Sequence, residues 1–122
     1  MCACPSPGPA TRAAPRDLAR AAIDAVADLV VGNHPHWFQG VELYRGHLIA
    51  YSHGNFVFDQ PWSVETQQGM LGRYTFYDNR LIDAEFIPIR IEGWGQPHVA
   101  DAEEAAYLLK VMKSASEALR PY

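Results

Sequence analysis

The chain has 122 residues, 48% of them hydrophobic and 20% charged, and carries a formal net charge of -4. That size and balance suit one globular domain with a modest core. With no Lys/Arg cluster to offset the acidic balance, the composition argues against a nucleic-acid partner, because a phosphate backbone asks for a sustained positive face.

The start, MCACPSPGPATRAAPR, has neither the apolar core of a secretory signal nor a cleavage site. No apolar run approaches the ~20 residues that span a bilayer, so the sequence reads as soluble and unexported. Residues 1–14 are Pro/Ala/Gly-rich and read as a disordered leader. Cys2 and Cys4 stand one residue apart there, too close to bridge readily and too few to complete a zinc site.

Pro15 is suited to open a helix in which Leu18, Ala22 and Ala25 recur at helical spacing beside Ile23 and Val26, running to about Ala27. DLVVG (28–32) reads as a short strand buried on both faces. VELY (41–44) and HLIAYS (47–52) are extended runs joined by Arg45-Gly46, a connection of hairpin length. LGRYTFYDNRLIDAEFIPIRI (71–91) predicts a longer hairpin around Asp78-Asn79, residues that tolerate positive φ. EGWGQPH (92–98) reads as a loop, after which Asp101 is placed to cap a helix with Glu104 at the reciprocal capping-box position. Ala105, Leu108, Leu109, Met112 and Leu119 predict that helix's core stripe. The expected fold is a layered α/β sandwich over 15–122, with terminal helices and mostly antiparallel strands.

Four of the five histidines fall in VVGNHPHWFQGVELYRGHLIAYSHGNFVFDQ, residues 30–60. Proline disfavours helical backbone in the residue before it, so His34 is expected to be extended. Side chains two apart on an extended chain point the same way, and His34 and His36 would then face one point, as imidazoles do when they hold zinc, manganese or iron. Packed or exposed histidines fit the same H-x-H pattern. Ser52 beside His53 suggests a nucleophile and base, yet adjacent extended residues point apart. Asp59 and Glu65 read as solvated loop acids, and Trp37, Phe38 and Trp62 suit either a pocket wall or the core.

The stretch from about Pro15 to Gln60 resembles the CapA family, named for poly-γ-glutamate capsule synthesis, in the metallo-dependent phosphatase-like superfamily. The resemblance rests on the apolar strand before Gly32, Gly-Asn-His-Pro-His (32–36), Gln39-Gly40, Tyr-Ser-His-Gly-Asn-Phe (51–56) and Phe58-Asp59, in family order and spacing. It implies that His34 and His36 stand where the superfamily's closing Gly-His-x-His motif supplies metal ligands. Asn33, Asn55 and His53 become candidates for substrate contact or for orienting those ligands, although at position 53 the family more often has an apolar residue.

The later hairpin and helix look like the end of such a domain. Superfamily sites are completed by aspartate, asparagine and histidine ligands from the N-terminal half, which Glu42, Asp59 and Glu65 do not match. The resemblance therefore implies the C-terminal portion of a partial metallophosphatase-like domain, with an incomplete site for a divalent metal (manganese, zinc or iron). The expected role is in poly-γ-glutamate or related cell-surface polymer synthesis, on an anionic polymer or phosphorylated substrate. The expected partner is the missing N-terminal half or a second copy, and family members are often associated with the cell envelope. The competing expectation is a non-catalytic fragment or interaction module that keeps the scaffold.

Overall fold

The computed structural model describes residues 11–120, so the leader cysteines Cys2 and Cys4 lie outside the described residues. Helix α1 spans Ala13–Asp24, which places Ala13 and Ala14 of the predicted leader inside a helix. Pro15 falls in the first turn, where its missing N–H leaves no intrahelical bond unmade. Ala19 and Ile23 are the buried positions, one turn apart. The helix stops short of Ala27: Val26 turns to φ 76° and the chain enters β1 (Leu29–Val31).

β2 (Val41–Tyr44) and β3 (His47–Ala50) form the predicted hairpin, with Arg45 and Gly46 both at positive φ as a type I′ turn requires. β1 lies parallel to β3, Val30 opposite Ile49, so the first sheet has the order β1-β3-β2. β4 (Gln68–Tyr77) and β5 (Arg80–Glu92) form the second hairpin, turning through Asp78 and Asn79 at φ 46° and 61°. The segment 92–98 is not simply a loop. It turns at Gly93–Gly95 and returns as β6 (Gln96–Val99), antiparallel to β5. β6 is an edge strand, where the missing N–H of Pro97 is tolerated.

The chain closes with α2 (Ala102–Glu117), and Asp101 caps it by accepting the Glu104 N–H at 2.8 Å. Glu104 does not complete a reciprocal box. Its carboxylate accepts from Arg90 Nη1 at 2.8 Å and from Gln68 Nε2 at 3.0 Å, fastening α2 to the second sheet. The buried stripe is Leu108, Met112, Ala115 and Leu119, whereas Leu109 is 42% exposed. The predicted stripe counted Leu109 because it is apolar, but it lies one position off the face that meets the sheets. The fold is α/β, with helices at both ends and two three-stranded, mostly antiparallel sheets.

Two apolar clusters hold these parts. Ala19 and Ile23 of α1 pack with Ile49, Tyr51 and Leu119, while Leu108 and Met112 of α2 pack with Phe38 and Met70. α2 touches both β2 and β5 and so spans the two sheets. A buried carboxylate, Glu42, accepts from Arg16, Arg20 and the Tyr51 hydroxyl, the last at 2.5 Å. Burial pushes the Glu42 carboxyl up, but the hydrogen bonds from Arg20, Tyr51 and Arg16 outweigh it and hold the group below the usual carboxylate range. Arg16 also donates to the Leu119 carbonyl, tying α1 to the segment that follows α2.

Candidate functional site

The segments that leave β1 and β3 run side by side and carry the histidines. Gly32 N–H donates to the Ala50 carbonyl at 2.7 Å, and Gln39 N–H to the Ser52 carbonyl at 3.0 Å. A Cβ at position 32 would lie 2.2 Å from the Tyr51 carbonyl oxygen, so only glycine admits this approach. Isolated bridges continue the stitching, Phe38 to His53 and Gly54 to Gly69, and carry it from the first sheet to the second.

His34 is not extended. It stands at φ 100°, and the chain bends through Pro35, His36 and Trp37. Proline disfavours the helical region in the residue before it and favours an extended one, so the positive φ of His34 departs from the expected geometry. Asn33 Oδ1 accepts the His34 N–H at 2.9 Å. The Ser52 hydroxyl, buried, donates to the Pro35 carbonyl at 3.0 Å and accepts from Gly54 N–H at 3.1 Å. Non-glycine residues held at such φ cost on the order of 1–3 kcal/mol and tend to mark functional turns.

The bend, rather than strand alternation, brings the two imidazoles together, with ring centroids 6.4 Å apart and planes tilted by 49°. Two imidazoles sharing a tetrahedral ion at metal–nitrogen distances of about 2.0–2.1 Å would have centroids roughly 5.5 Å apart. His34 is exposed and can close that difference by turning its side chain. Two imidazoles would supply only two of the four donors a tetrahedral ion takes. Among the described residues, no group of three or more His, Cys, Asp or Glu side chains could hold a metal.

Both histidines, with Asn33, line a groove of about 550 Å³ whose other walls are Pro15 and Leu18 of α1, Val30 and Val31 of β1, and Trp37. His36 Nδ1 meets Asn55 Oδ1 at 2.9 Å, and its ring lies against Phe58 at 5.3 Å between centroids. Asn55 is buried and sends its amide N–H groups to the Thr66 carbonyl and Gln60 Oε1, each at 3.0 Å.

His53 is directed elsewhere. Its Nδ1–H donates to the Met70 carbonyl at 3.0 Å and its Nε2 accepts from the Tyr74 hydroxyl at 2.7 Å. The ring stacks on Phe86. Burial lowers its pKa, against a smaller opposing effect of the Met70 carbonyl, and the same burial raises the Tyr74 phenol to about 12. His53 thus joins the two sheets as a neutral ring. Asp59 and Glu65 are exposed, Phe38 is core, and Trp62 is 71% exposed. Sequence reasoning missed the parts played by Ser52, Gln60 and Thr66. The only signal was the cluster of small polar residues around Gly54, which marks a turn without naming its partners.

Residues 7–60 match the family described as bacterial capsule synthesis protein PGA_cap. The chain is 37% identical over 101 residues, 82% of its length, to the capsule biosynthesis protein CapA of Bacillus anthracis. It is 47% identical over 76 residues, 62% of its length, to the PGA biosynthesis protein CapA of Bacillus subtilis (strain 168). An uncharacterized Sinorhizobium fredii protein, y4sH, shares 52% identity over 42 residues, 34% of this chain and 9% of that protein. The sequence that carries the paired turns thus matches the bacterial capsule synthesis proteins. Within them, this chain belongs to the CapA family. It spans 24% and 20% of the lengths of the two Bacillus relatives.

Proposed function

We propose that this chain serves the synthesis of poly-γ-glutamate or a related capsule polymer, and that His34 and His36 form part of a metallophosphatase-like site. The observation that carries the reading is the pair of imidazoles at the groove, one of them held by a buried asparagine. The two histidines would hold a divalent ion such as manganese, zinc or iron, which when bound supplies Lewis-acid polarisation of a phosphoryl oxygen or an activated water. The chain's own residues position this chemistry. Asn33 and Ser52 set the bend, and Asn55 orients His36 at the groove.

The remaining ligands would come from a partner, either the other part of a CapA domain or a second copy. A phosphorylated or anionic polymer would be the substrate, and nucleic acid would not bind. β1 offers such a partner a strand edge, since it pairs only with β3 among the described residues. A second reading, a non-catalytic module that keeps the scaffold, is favoured by the lack of a third ligand among the described residues.

Titration with manganese or zinc tests the site. Weak binding is expected, with negligible phosphodiester hydrolysis. The double variant His34→Ala, His36→Ala should abolish binding, while His47→Ala and His98→Ala should leave it unchanged. Binding that survives the double variant would refute the assignment, and robust histidine-dependent turnover would show that the chain completes its own site.

A further inference from the structure

Asn55 carries more information than a turn residue needs to. The Thr66 carbonyl can only accept a hydrogen bond, so the Asn55 atom 3.0 Å from it must be the amide nitrogen. The second amide hydrogen goes to Gln60 Oε1, which leaves Oδ1 facing His36 Nδ1 at 2.9 Å. A flipped amide would set two acceptors against each other in a buried place and leave both without a donor. Oδ1 has no proton to give, so the hydrogen in this bond belongs to His36 Nδ1. His36 Nε2 is then left with its lone pair and no hydrogen-bond partner among the described residues, on a ring that lines the groove.

We propose that Asn55 is a positioning residue that locks His36 in its Nδ1–H tautomer, so that Nε2 is the nitrogen that carries this site's chemistry. Neutral histidine free in water prefers the opposite tautomer, with the proton on Nε2, which would present Nδ1 instead. The lock is set from outside the histidine segment: Gln60 and Thr66 fix the asparagine, and Ser63 in turn steadies Thr66 by donating to its hydroxyl at 3.3 Å. The inference rests on the proposed metal reading only for the identity of what Nε2 meets, because the tautomer is a property of the chain alone.

Long-range proton–nitrogen correlation spectra of the uniformly ¹⁵N-labelled chain, without metal and at a pH where the imidazoles are neutral, read the tautomer directly. The wild type should show His36 as the Nδ1–H form. Asn55→Leu should let the proton move to Nε2 and weaken zinc binding by about 10–100-fold, the usual cost of losing a ligand's orienting partner. A wild-type His36 protonated on Nε2, or an Nδ1–H signal unchanged in Asn55→Leu, would overturn the proposal. If Asn55→Leu does not fold, the wild-type spectrum decides it. The expected tautomer together with no zinc binding would refute the metal reading while leaving the role of Asn55 standing, and the opposite tautomer in a zinc-binding chain would do the reverse.

Discussion

His53 and His36 stand at neighbouring turns, yet their surroundings assign them opposite work. His36 keeps one nitrogen for the groove, whereas both nitrogens of His53 are used inside the protein, on Met70 and Tyr74. Because burial depresses the folded pKa of His53, the unfolded chain takes up a proton near ~6.5 before the folded chain does. The stability this residue contributes is therefore complete above that pH and is lost as pH falls through the lower, folded value. Urea midpoints measured at pH 7.5, 6.5 and 5.5 should decline in the wild type and decline less in His53→Gln. Equal slopes in the two proteins would show that His53 is not the group responsible.

Between elements, the decisive joints are polar as well as apolar. Glu42 on β2 draws in Arg16 and Arg20 of α1 and Tyr51 beyond β3, so a single carboxylate fixes the helix against the sheet that positions the histidine turns. Removing one partner of a buried ion pair costs about 3–5 kcal/mol. Both arginines here retain solvent access, 25% and 29% of their side chains, so the loss for Glu42→Gln is placed lower, at about 2–3 kcal/mol. Chemical denaturation should find that loss at neutral pH, and it should shrink as pH falls below the usual carboxylate range and the wild-type carboxyl is protonated. A change under about 0.5 kcal/mol, the range of an ordinary surface substitution, would refute the joint.

At the scale of the whole molecule, β1 is an edge of the first sheet, and the apolar groove beside it is open. Exposed Leu18 and Val31 lie along that groove. Unpaired, apolar strand edges recruit other chains. The chain is expected to sediment as a dimer or larger assembly at micromolar concentration, and Val31→Lys, a charge at the strand edge, should shift it toward monomer. A clean, folded wild-type monomer would remove the case for this edge as an interface.

Local chemistry made much of this protein legible from its sequence. The Arg45-Gly46 and Asp78-Asn79 turns, the Asp101 cap and the apolar periodicity each depend on residues close together in the chain, and each is present. The Gly-Asn-His-Pro-His and Ser-His-Gly-Asn turns could be found in the same way, along with the family they belong to. Tertiary structure decided the rest, because the deciding partners lie far away in sequence. It made 96–99 a strand by giving it β5 to pair with, and it turned Glu104 from a helix cap into a tie to Arg90. It also set His34 at positive φ and chose His53 for packing and His36 for the groove. A proline narrows its neighbour's backbone, but which remaining conformation is occupied depends on Ser52, and which histidine nitrogen stays available depends on Asn55 and the Thr66 carbonyl.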